Sequence, residues 1–135
     1  MRTMPRVTLM SVAGLSLLSA CGGQVISSGD VTVLVSERAD AGMDALGGGR
    51  IEVVGGCLGA GGYVIVWPHG TDVIDDDPLT IDIPDYGTFT VGDDVQVAGG
   101  FVLEHSSREV EPGPYQASGV TVPTECARHD IFVAN

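Results

Sequence analysis

Lysine is absent from this sequence, and its six cationic side chains, all arginine, face eighteen acidic ones. The 135 residues carry a formal charge of −12 with the three histidines neutral. Phosphodiester backbones are held by Lys and Arg displacing counterions, so nucleic acid is excluded as a natural partner. Aromatics are few, one Trp, three Tyr and three Phe, which also leaves no stacking groove for single strands. No G-x-S-x-G elbow, S-x-x-K or G-K-[ST] occurs, so the common nucleophile and phosphate-loop chemistries have no footing. His69, His105 and His129 stand apart from one another and from any C-x-x-C, without the short ligand spacings of a zinc site. No cofactor is implied, and the reading is of a protein that is not an enzyme.

The one long apolar run, Val7 to Leu18, follows Arg2 and Arg6. About twelve residues at 1.5 Å each give roughly 18 Å, short of the hydrocarbon core a permanent helix must cross. A cationic start and a short apolar core read as a secretory signal peptide. Leu18-Ser19-Ala20-Cys21, with Gly22-Gly23 behind it, resembles the lipobox of bacterial lipoproteins. That resemblance covers residues 1 to 23. It implies that the Cys21 thiol receives a diacylglyceryl group, that residues 1–20 are cleaved, and that the chain is anchored by lipid on the extracytoplasmic face of the cell membrane. The bilayer, through acylated Cys21, is then its first partner. Cleavage removes two arginines and no acid, leaving four arginines against eighteen acids and a formal charge of −14. Such a body has no polybasic attraction for anionic lipid, so stable attachment needs the paired acyl chains.

With Cys21 lipidated, Cys57 and Cys126 remain as an even pair in an oxidising compartment, and a disulfide is the default. Two free thiols with a catalytic or metal role are the alternative.

About 115 residues suit one domain. From Gly22 to Gly49 small, polar and acidic residues dominate, including Gly47-Gly48-Gly49, and residues 21–49 read as a flexible linker. Val31 to Val35 interrupts it with a β-branched run that either joins the domain or rides in the tether. Residues 50–135 read as the domain. Strands are predicted from Arg50 to Leu58 and Tyr63 to Trp67, at Leu79 to Ile83, Thr88 to Val91 and Val95 to Leu103, at Val120 to Val122, and near the end. The Tyr63 to Trp67 run is apolar on both faces, as in a central strand. Gly55 to Gly62 reads as a flexible hairpin, Asp72 to Pro78 as an acidic connector, and Ser106 to Gly119 as a surface loop. Short strands with glycine corners and almost no helix signal predict an all-β fold built as a single small antiparallel barrel. Phe89-Thr90-Val91-Gly92-Asp93-Asp94-Val95-Gln96-Val97-Ala98-Gly99-Gly100 resembles OB-like barrels, while SH3-like barrels and β-sandwiches show the same signs.

Two functional readings follow. In the first, the domain is a non-catalytic module binding an envelope protein or small ligand on a rim formed by Trp67, His69, Tyr86 and the 106–119 loop. Loops at the ends of buried strands are where such contacts collect. In the second, crowded carboxylates at Asp72, Asp75 and Asp77 hold Ca²⁺. Against it, the run lacks the D-x-[DN]-x-[DN]-G spacing, and a solvated acidic turn is the reading preferred for it.

Overall fold

The computed structural model describes residues 22–135. The signal peptide expected at residues 1–20 and the lipidation expected at Cys21 fall outside the described residues.

The described chain is all-β. Its strands are β1 (Gln24–Ser28), β2 (Val31–Val35), β3 (Ala45–Val54), β4 (Cys57–Ala60), β5 (Tyr63–Trp67), β6 (Asp72–Asp76), β7 (Leu79–Ile83), β8 (Gly87–Thr90), β9 (Asp94–Leu103), β10 (Tyr115–Ala117), β11 (Val120–Val122) and β12 (Ile131–Ala134). One 3-10 turn, Cys126–Arg128, precedes β12. A single small barrel does not describe this arrangement, because the strands form three sheets: seven strands (β1-β2-β4-β3-β9-β12-β5), three (β6-β7-β8) and two (β10-β11). Within the large sheet β3 pairs with β4, β4 with β5, β5 with β12, β12 with β9, and β9 again with β3. The β5–β12 pair is parallel and the other four are antiparallel.

Period-2 alternation divides the apolar side chains between two clusters. Ile51, Leu58, Ile65, Trp67, Val97 and Phe132 belong to one, which the meander β6-β7-β8 closes with Leu79, Ile81 and Ile83. The alternate residues Val64, Val66, Leu103 and Ile131 form the second, under the β10–β11 hairpin and the 3-10 turn. The buried strand β5 thus serves both clusters, which explains its continuous apolar run.

The flexible linker expected at residues 21–49 is corrected by these strands. β1 and β2 form an antiparallel hairpin, with Gln24 opposite Val35 and Ser28 opposite Val31. β2 continues into the large sheet through Leu34 and Val35 beside Val66 and Trp67. Val33, Leu34 and Val35 are almost wholly buried, and each such side chain contributes about 2 kcal/mol of transfer free energy. Glycine-rich flanks lower the average apolarity of the segment without changing these five residues.

The triple glycine is also strand. Gly47, Gly48 and Gly49 pair with Val97, Gln96 and Val95. A Cβ on Gly47 would stand 2.6 Å from the Phe132 ring, so the missing side chain makes room for an aromatic one. Tyr63, Phe101 and Phe132 cluster there with ring centroids 4.9 to 5.9 Å apart. The Gly48 N–H donates to the Tyr63 hydroxyl at 2.6 Å, and that hydroxyl donates to the Gly48 carbonyl at 3.0 Å.

Three smaller boundaries also differ from expectation. The predicted strand from Arg50 to Leu58 is divided by the Gly55-Gly56 turn. The acidic connector becomes β6, paired to β7. Part of the predicted 106–119 loop is β10.

Cys57 and Cys126 form the disulfide, with Cα atoms 5.9 Å apart. It ties the start of β4 to the 3-10 turn just ahead of β12, inside the second cluster.

Candidate functional site

β2 and β5 run parallel, so the segments leaving them, from Ser36 and from Pro68, emerge at the same end of the molecule. The Ser36 N–H donates to the Trp67 carbonyl at 2.8 Å, fixing that junction. His69 follows in the next turn, exposed, with Nδ1 3.2 Å from the Ser36 carbonyl. A carbonyl only accepts, so this bond places a proton on Nδ1. Thr71 closes the turn by donating its hydroxyl to the Pro68 carbonyl at 2.7 Å, fully buried.

The β7–β8 connection reaches the same end. Pro84 and Asp85 occupy the middle of a turn closed by the Tyr86 N–H donating to the Ile83 carbonyl at 3.1 Å. Asp85 takes φ 68° there, the left-handed value that the third position of a type II turn requires. Tyr86 is half-buried. Its hydroxyl accepts from the Ala98 N–H at 3.0 Å and donates to the Asn135 carbonyl at 3.3 Å.

These segments enclose a cleft of about 170 Å³ in which Glu37, Pro68, His69, Asp85 and Tyr86 take part. A larger, more apolar depression of about 430 Å³ adjoins it under the 37–43 segment, with Met43, Val102, Val133 and Ala134 in its wall. Ser36, Ala39 and Asn135 line both.

Of the expected rim, therefore, His69 and Tyr86 come together. Trp67 does not join them: it is 0% exposed, and its indole N–H donates to the Leu58 carbonyl at 3.1 Å. A Trp in a strand apolar on both faces fills the core, and its polar tip needs a partner inside it. The 106–112 part of the predicted loop, with His105 before it, borders a separate surface hollow. Glu37, Asp85 and Asn135 were missed. Only the Pro84-Asp85 turn left a local signal, since the other two reach the cleft through long-range pairing.

Asp72, Asp75 and Asp77 are all exposed along β6 and the turn after it. Asp75 accepts from the Asp77 N–H at 3.2 Å, and Asp76 accepts from the Ser28 hydroxyl at 2.6 Å. Among the described residues no three His, Cys, Asp or Glu side chains stand together as metal ligands, so the structure does not gather these carboxylates into one site.

His105 and His129 serve the fold. The His105 backbone N–H donates to the Asp130 carboxylate at 2.8 Å, and its ring Nε2 lies 2.9 Å from the Ala127 carbonyl. The His129 N–H donates to Cys126 at the end of the 3-10 turn.

No protein-family model, curated protein or solved structure matches the chain.

Proposed function

We propose that this chain is an extracytoplasmic lipoprotein, anchored to the cell membrane through diacylglyceryl-modified Cys21, whose β domain is a non-catalytic binding module. The observation that carries the reading is the junction: Leu18-Ser19-Ala20-Cys21 stands directly ahead of a disulfide-bonded domain whose first strand opens at Gln24. A bridge between Cys57 and Cys126 suits an oxidising compartment, and an export signal delivers the chain to one. The five-strand cycle β3-β4-β5-β12-β9 supports an OB-like barrel at the centre of the domain, with β1–β2 and the two small sheets added around it.

The binding surface in this reading is the cleft holding His69 and Tyr86, bordered by Glu37 and Asp85. His69, whose Nδ1–H is held by the Ser36 carbonyl, and the two carboxylates offer acceptors to an envelope protein or small polar ligand that brings donors. The acidic surface keeps nucleic acid out of consideration.

Labelling of growing cells with radioactive palmitate tests the anchor. Label in the membrane fraction on the wild-type chain, lost in Cys21→Ser, is the expected result; an unlabelled wild-type chain contradicts the reading. A photo-crosslinking residue at Asp85 tests the surface, with an adduct expected there and none at exposed Thr121.

A further inference from the structure

The chain between the proposed lipid and the folded domain is too short to act as a spacer. The Gly23 N–H donates to the Gly119 carbonyl at 3.1 Å, and a Cβ on Gly23 would collide with the Val120 side chain and the Val35 carbonyl. Gly23 is therefore packed into the domain. Two residues of extended chain reach about 7 Å, whereas a flexible tether as long as residues 21–49 would average about 30 Å.

We propose that the end of the domain bearing Gly23, the 37–43 segment and the His69–Tyr86 cleft lies against the bilayer surface, with the opposite end, bearing Asp30 and Asp75 to Asp77, pointing away. This orientation rests on the reading of Cys21 as the lipid anchor. Pairing decides which features share the anchored end. Gln24 is opposite Val35, so Ser36 and the residues after it start beside the anchor. The Glu37 N–H donates to the Ser118 carbonyl at 2.9 Å, one residue from the Gly119 that holds Gly23. His69 is joined to Ser36, and Asn135 donates its side-chain amide to the Met43 carbonyl at 3.1 Å.

The Gly29–Asp30 turn closes the far end of the β1–β2 hairpin, five residues and about 17 Å from Gln24. The Ser28–Asp76 bond puts the end of β6 there as well, and with it Asp75, Asp76 and Asp77. An anionic bilayer surface is felt over about a Debye length, roughly 8 Å at physiological ionic strength. The orientation carries these four carboxylates beyond that range. The near end retains Glu37, Asp40, Asp44 and, at the cleft, Asp85 against Arg38 beside exposed Ala39, Ala41 and Met43. That mixture favours apposition to the surface over insertion. A partner entering the cleft then approaches along the membrane.

The test uses the full lipidated protein in phosphatidylcholine vesicles containing a headgroup-nitroxide lipid. Met43→Cys and Asp30→Cys are labelled separately with a thiol-reactive fluorophore, Cys21 being blocked as a thioether and Cys57 and Cys126 being bridged. Ala41→Cys repeats the near-end reading should Met43→Cys disturb its segment. Quenching at least twofold stronger at the near-end labels than at residue 30 is expected. Equal quenching, or stronger quenching at residue 30, on protein whose acylation is verified by mass overturns the orientation alone. An unmodified Cys21 overturns the anchor and the orientation with it.

Discussion

Leu34→Ala perturbs the part of the chain that composition assigns to a tether. Leu34 is 0% exposed and lies in the second apolar cluster, with its backbone beside Val66 on β5. Truncating a fully buried leucine removes its transfer free energy and leaves a cavity that neighbours fill only in part, typically about 3 kcal/mol in total. The neighbours here are bridged and strand-bound, so collapse around the cavity is restricted. The assay is urea unfolding of the chain from Gly22 onward, followed by circular dichroism. With a slope of about 2 kcal/mol/M, the midpoint should fall by about 1.5 M at an unchanged slope. A shift below about 0.3 M would mean that β2 is not part of the cooperative unit, and the correction of the linker to strand would fail.

Substitutions at three further places probe other parts of the fold. Gly47→Ala places a methyl 2.6 to 2.9 Å from Phe132 ring atoms and should cost about 2 kcal/mol in the same assay, an overpacking penalty; a neutral result would show that the ring has room to move. Replacing Cys57 and Cys126 together by alanine releases a bridge of sequence separation 69, and on the chain-entropy model should cost about 4 kcal/mol. A loss under about 1 kcal/mol would count against the bridge as a main restraint. Asp85, at φ 68°, should give opposite signs: Asp85→Gly stabilises by about 0.5 kcal/mol, and Asp85→Val destabilises by more than about 1 kcal/mol. Thermal melts in parallel distinguish them, and Val melting at or above wild type would remove the strain argument.

Short-range pattern carried the elements whose side chains alternate or are uniformly apolar. Tyr63–Trp67 and Leu79–Ile83 are strands in the structure with the limits their sequences predict. The Pro84-Asp85 turn was legible because proline and a residue tolerant of positive φ stand together. The linker reading failed at residues 24–35 and 45–49 for a single reason. Small and glycine-rich residues signal flexibility only when nothing packs on them, and here β5, β9 and Phe132 do. Those partners are distant in sequence, so no local window contains them. The same limit hid the three-sheet arrangement and the convergence of Glu37 and Asn135 on the cleft. Trp67 shows the reverse case: the apolar run that identifies a central strand already favours a packed core Trp over a place on the rim, and its full burial agrees. The cysteine pair was accessible by parity because it needs no geometry, only a third cysteine with another role.

Tryptic cleavage of the protein isolated from membranes, followed by mass spectrometry, tests the central claim most directly. Cutting after Arg38 releases the segment from Cys21 to Arg38, which contains no other cysteine and no internal basic residue. The account predicts that this peptide begins at Cys21 and carries the added mass of a diacylglyceryl group. A peptide with a free Cys21 thiol, or one continuous with Ala20, would contradict it.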